Sequence, residues 1–191
     1  MRKIVQAAVL LAPLSACALG SPPPSASLPG DVITGGTDPM RAAILGSAYS
    51  FNRQSTPAER MRAAALVEYL AANYNWDHRW VEYTPTTGPA LLASRAELHR
   101  AFGIAPDAPP QLVVDGLMDT SRTLSRGAQP VLPANVFSEP RMTLAQLTTP
   151  SDLPATRVAT GMMERELLRI DADRYNGGPG GSGGGGGGAH P

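Results

Sequence analysis

A single cysteine, Cys17, stands in 191 residues, so no disulfide can close within the chain and its folded part holds by packing alone. Lysine is equally scarce: Lys3 is the only one, and every other basic residue is arginine. Neither charge sign prevails, with 16 basic against 16 acidic residues. No basic stripe exists, which argues against a nucleic-acid function, and no polybasic patch is present to hold a membrane surface. Aromatics are few, two Trp, five Tyr and three Phe, so each one carries weight in a core or at a surface. The apolar–polar alternation of strands is missing throughout, and so is any internal repeat.

What is present begins at the N terminus. Met1-Arg2-Lys3 is a short basic start, Ile4 to Leu14 an apolar run, and Leu14-Ser15-Ala16-Cys17 closes it with small residues. This is the layout of a secretory signal. A membrane span needs about 20 apolar residues, and this run is shorter and interrupted by Gln6 and Pro13. The closing tetrapeptide resembles the lipobox of bacterial lipoprotein precursors. The resemblance implies that Cys17 is diacylated on sulfur, freed by the lipoprotein signal peptidase and acylated again on its new amino group. Ala18, where inner-membrane retention uses aspartate, implies the periplasmic face of the outer membrane. The match covers the first seventeen residues and speaks to address, not activity. The alternative is an ordinary signal cut at Ala16-Cys17-Ala18 or Ala18-Leu19-Gly20, which yields a soluble periplasmic protein.

Four stretches are expected: a signal at 1–16, a lipid-anchored Pro/Gly/Ser linker at 17–36, a helical domain at 37–175 and a disordered glycine-rich tail at 176–191. The linker and tail have little apolar area to repay the entropy of ordering; the alternative for the linker is an ordered arm docked on the body through Val32 and Ile33. Within the domain, Asp38-Pro39 reads as a helix cap followed by proline. Thr56-Pro57-Ala58-Glu59 reads as a capping box. The helix opened by that box runs to about Tyr74, with Glu68 on its polar side. Further helices are expected from about Pro89 to Phe102, stopped by Gly103-Ile104, from Pro110 to Gly127, and from Pro154 to Tyr175. A short helix is expected over Arg141 to Leu147. Val131, Val136 and Phe137 are expected to pack in the proline-rich stretch between, and Val158 and Met162 to face inward. The fold class is all-α: an irregular bundle of four main helices plus a short one. Such a body resembles the uncharacterised helical lipoproteins of Gram-negative bacteria.

Several motifs fail on context. Gly178 to Gly183 spells G-x-G-x-x-G and Gly180 to Gly184 spells G-x-S-x-G, but a glycine tract supplies neither the strand nor the helix these need. Asp171-Ala172-Asp173 opens like a calcium loop, yet Asn176 holds the turn position and no glutamate closes it. His78, His99 and His190 are too dispersed to read as a zinc site, and His99 reads as a helix C-terminal cation. No metal, no nucleic acid and no small-molecule cofactor is expected.

One stretch stands out. Trp76, Asp77, His78, Arg79, Trp80 and Tyr83 fall within eight residues and form a candidate protein-binding surface, since Trp, Tyr and Arg are enriched at binding hot spots. The same indoles also read as core plugs where the chain turns, with Trp76 expected buried and Trp80 partly exposed. The favoured function is an envelope lipoprotein, anchored to the membrane by lipid, that binds an envelope protein partner. The rival is a periplasmic enzyme acting on cell-wall or envelope material, with Asp77, His78 and Glu82 as acid–base groups.

Overall fold

A computed structural model describes residues 25–33, 36–74 and 77–177. Cys17, Trp76, His190 and the glycine tract lie outside the described residues. Among those described there are six α-helices and no strand; the single bridge pairs Ile104 with Phe137. The helices are α1 (Pro39–Phe51), α2 (Pro57–Asn73), α3 (Thr87–Phe102), α4 (Pro110–Ser125), α5 (Pro140–Thr148) and α6 (Pro154–Asn176). The shortest of the other five, α1, has 13 residues, so five long helices stand beside the short α5: each helix start read from the sequence is used, and the bundle has one member more than the four main helices expected of it. Gly46, at the middle of α1, keeps the packing tight. A Cβ there would stand 2.9 Å from Leu66 Cδ1 of α2, closer than packed carbons approach.

Local signals account for most boundaries. Asp38 accepts from the Met40 amide at 3.3 Å. Thr56 and Glu59 exchange side-chain and backbone hydrogen bonds at 3.2 and 2.8 Å, which completes the capping box. At the end of α3, Gly103 takes φ +59°, and the Gly103 and Ile104 amides reach back to the Arg100 and His99 carbonyls. That is the Schellman stop the glycine predicts. The start of α6 is capped from a distance: both oxygens of Glu97 on α3 accept from the Ala155 and Thr156 amides, at 3.2 and 2.8 Å.

Helix α2 is the axis of the body and packs against α1, α4 and α3, while α6 packs on α3 and α1. Met61 and every residue from Ala63 to Leu70 except Tyr69 are buried. A helix enclosed on nearly every side has little polar face left, and this corrects the placement of Glu68: it is buried, not solvated. Two other orientations differ from expectation. Val131 and Val158 are exposed, at 89 and 60%. Val158 sits between the inward Thr156 and Ala159 on the outer side of α6, and Val131 lies on a loop held inward by Val136 and Phe137. Met162 is half-buried and meets the Thr86 hydroxyl.

The segment 25–33, expected to be part of a free linker, is instead a strap laid over α2 and α4. Ala26 and Val32 are buried in the common core. The Asn73 amide donates to the Ala26 carbonyl at 2.7 Å, and Arg122 grips Asp31 with a two-pronged contact at 2.7 and 3.0 Å. Of the two side chains through which an ordered arm could dock, Val32 is the one buried, and with Ala26 it suffices once the body offers fixed polar partners.

Candidate functional site

The aromatic stretch after α2 forms a 3₁₀ turn, His78–Glu82, started by Asp77, which accepts from the Arg79 amide at 3.0 Å. Trp80 is buried, not partly exposed as its sequence position suggests, and so is Tyr83. Their rings lie 4.9 Å apart, and the Tyr74 ring lies 5.2 Å from that of Trp80. Tilted rings at this spacing are an attractive aromatic arrangement, and they fill the corner where α2 gives way to α3. Burial pushes the Tyr83 hydroxyl up to about 12.

Arg79 ties the turn to the body. Its guanidinium contacts Asp77 at 2.5 to 3.0 Å and also binds Asp38, the cap of α1. The Arg79 hydrogen bonds hold the Asp77 carboxyl below its ordinary range. His78 points outward with its side chain 95% exposed, its Nδ1 4.0 Å from Asp77, beyond hydrogen-bond reach. Glu82 is engaged by Arg174 at 2.6 Å, and Arg169 donates to its carbonyl. The outward face of the turn therefore consists of His78 and Val81, with part of Glu82.

A second site lies between α3 and the start of α5, where the sequence pattern marks nothing. It is a groove of about 660 Å³, within the ~300–1,000 Å³ of small-molecule sites. Leu92, Ala96 and Met142 form its apolar part, and Leu92 and Met142 remain 49 and 39% exposed. Ile104 and Pro106 continue it past the end of α3, and Ser138 and Glu139 form the facing lip.

On the α3 side, Arg95 and His99 are held from behind by Glu68. Oε2 of Glu68 accepts from His99 Nε2 at 2.8 Å and from Arg95 Nε at 3.0 Å. Arg95 Nη2 is 2.8 Å from Oε1 but out of hydrogen-bond alignment, so that contact is an ion pair only. His99 is therefore a partner of a buried carboxylate and not merely a helix-end cation. The signal available in the sequence was the spacing of Arg95 and His99, four residues apart on one helix face; their partner on α2 could not be read from it.

No group of three or more acidic, histidine or cysteine side chains could hold a metal among the described residues, and no helix among them is long and apolar enough to cross a membrane. Asp171, at the rejected calcium pattern, pairs with Arg41 of α1 at 2.5 Å. Comparison of the chain with protein-family models, curated proteins and solved structures finds no match.

Proposed function

We propose that this protein is an envelope lipoprotein, held through Cys17 on the periplasmic face of the outer membrane, whose helical body binds a protein partner as an accessory or assembly factor. The observation that carries the reading is Leu14-Ser15-Ala16-Cys17 after a basic start and an apolar run. The body adds support of a different kind. Its 3₁₀ turn is braced by Arg79 on Asp38 and Asp77, and by Arg174 on Glu82, so His78 and Val81 are offered outward from a rigid support. A pre-organised surface loses little entropy on binding. With Trp80 and Tyr83 buried, the surface is narrower than the six residues named from sequence. The enzymatic rival gains nothing from the turn, because Arg79 occupies the Asp77 carboxylate and Arg174 that of Glu82.

Labelled fatty acid tests the anchor: the wild-type chain takes it up, and the Cys17→Ser precursor does not and stays uncleaved. Normal processing of the serine variant, with the wild type free in the periplasmic fraction, would leave the soluble periplasmic alternative. The partner is tested by photo-crosslinking from position 81 in intact cells. A discrete adduct lost on introducing His78→Ala supports the binding face, and the absence of any adduct removes it.

A further inference from the structure

The groove between α3 and α5 has an unusual charge arrangement. Of its charged groups, Arg95 is already paired with Glu68 inside the body. Two remain: Arg100 on the last turn of α3 and Glu139 on the lip before α5. Neither side chain has a hydrogen-bond or ion-pair partner among the described residues, and the two do not pair with each other. A cation and an anion thus flank one apolar groove, each without a counter-charge.

The two unpaired charges lie at one end of the groove, while apolar side chains line it throughout, with Ile104 and Pro106 beside those charges and Leu92 and Ala96 farther along α3. Leu92 and Arg100 are eight positions apart on α3, about 12 Å at the helical rise. Glu139 sits beside the end of α3, its amide bonded to the Gly103 carbonyl at 3.1 Å. Both free charges therefore lie toward the Gly103 end, and Leu92 and Ala96 lie toward the other. Met142, nearly one helical turn on from Glu139 in α5, lines the same groove.

We propose that this groove binds a zwitterionic single-chain amphiphile, its head between Arg100 and Glu139 and its acyl tail over Leu92, Ala96 and Met142. An anionic head alone would be repelled by the exposed Glu139 beside it, and a cationic one by the exposed Arg100. A head of both signs, phosphate with ammonium, satisfies the two. A peptide is the poorer occupant: its backbone N–H and C=O groups need partners along their whole length, and Leu92, Ala96 and Met142 offer none. An acyl chain needs only the removal of apolar surface from water. The inference does not depend on lipidation of Cys17.

The test is a methyl spectrum of the full chain labelled at methionine, carrying Cys17→Ser so that no attached acyl chain competes. The Met142 signal is assigned through Met142→Leu. Dodecanoyl lysophosphatidylethanolamine, kept below its micelle-forming concentration, is expected to shift Met142 and leave the core residue Met163 unmoved. Dodecanoate and dodecylamine, each with one charge, should bind at least about tenfold more weakly, the loss of one charge-assisted hydrogen bond. Glycerophosphoethanolamine, with the head but no tail, should give no shift. Arg100→Glu and Leu92→Glu, both at exposed positions, should each weaken lysolipid binding by a similar factor while thermal unfolding stays as in the parent. Equal binding of dodecanoate or dodecylamine, an unmoved Met142, or full affinity in both variants overturns the proposal. A dansylated acidic peptide that outcompetes the lysolipid overturns it in favour of a protein ligand. The ligand series is read on the unsubstituted groove, so it decides the question even where a variant misfolds.

Discussion

Glu68 and His99 meet at 2.8 Å across the α2–α3 contact, carboxylate oxygen to imidazole Nε2, with the Glu68 side chain only 2% exposed. The same oxygen receives Arg95, one helical turn earlier on α3. An isolated carboxylate this deep costs far more than a helix pair can offset, and only pairing makes the position tolerable. The cluster therefore fixes how α3 is rotated about its own axis. That rotation turns Leu92 and Ala96 toward the groove.

Removing the carboxylate should be expensive because it strands the partners. Glu68→Ala leaves the half-buried Arg95 without its counter-charge and His99 without its hydrogen-bond partner, and about 3 kcal/mol of stability is expected to go. Glu68→Gln keeps the shape and an acceptor and should cost roughly half of that. Urea unfolding of the two variants, at unchanged slope, measures both. A loss below about 1 kcal/mol in the alanine variant would mean that water reaches the cluster.

Trp80 makes a second prediction, and here the structure changes the sequence expectation. Packed between Tyr74 and Tyr83 and 6% exposed, it belongs to the core. Trp80→Ala should lower stability by about 3–5 kcal/mol, the range for deleting a large buried aromatic. Near-normal stability together with lost partner capture would restore it to the binding face.

These two residues show where the sequence was legible. Caps and stops were readable because they are written in neighbouring residues: Asp38 before Pro39, Thr56 three before Glu59, Gly103 before Ile104. Features that join distant segments were not. Glu97 caps a helix that starts 57 residues later, and Glu68 reaches residues 27 and 31 positions on. Periodicity placed Glu68 on a polar face because it cannot register that α2 has neighbours on three sides. The groove was invisible for the same reason, since its two walls belong to separate helices.

The strap at 25–33 is predicted to be structural. Deleting these residues removes Val32 and Ala26 from the core and frees Arg122, with about 2 kcal/mol expected from the valine alone. The reciprocal check is Asp31→Ala, exposed and paired only through Arg122. It should shift the midpoint little, since water screens an exposed pair. Limited proteolysis separates the cases: the deletion should speed cleavage within α4, and Asp31→Ala should not. Unchanged stability in the deletion would mean that the docked strap adds nothing to the fold.

Tyr83 sets the alkaline limit. Its hydroxyl ionises near 10 when the chain is unfolded and at about 12 in the fold, chiefly because burial disfavours the phenolate. The folded state thus holds this proton more tightly than the unfolded state. The contribution is intact below pH 10 and is lost as pH rises from there toward 12. Two units correspond to about 3 kcal/mol at most. Tyr83→Phe keeps the ring against Trp80 and removes the ionisable group, so its stability should fall less steeply than that of the parent above pH 10. Tyr69, also raised by burial, contributes a residual slope that both proteins share. Denaturant midpoints measured in steps from pH 8 to pH 12 decide the matter: parallel curves for the two proteins would show that the Tyr83 hydroxyl is open to water.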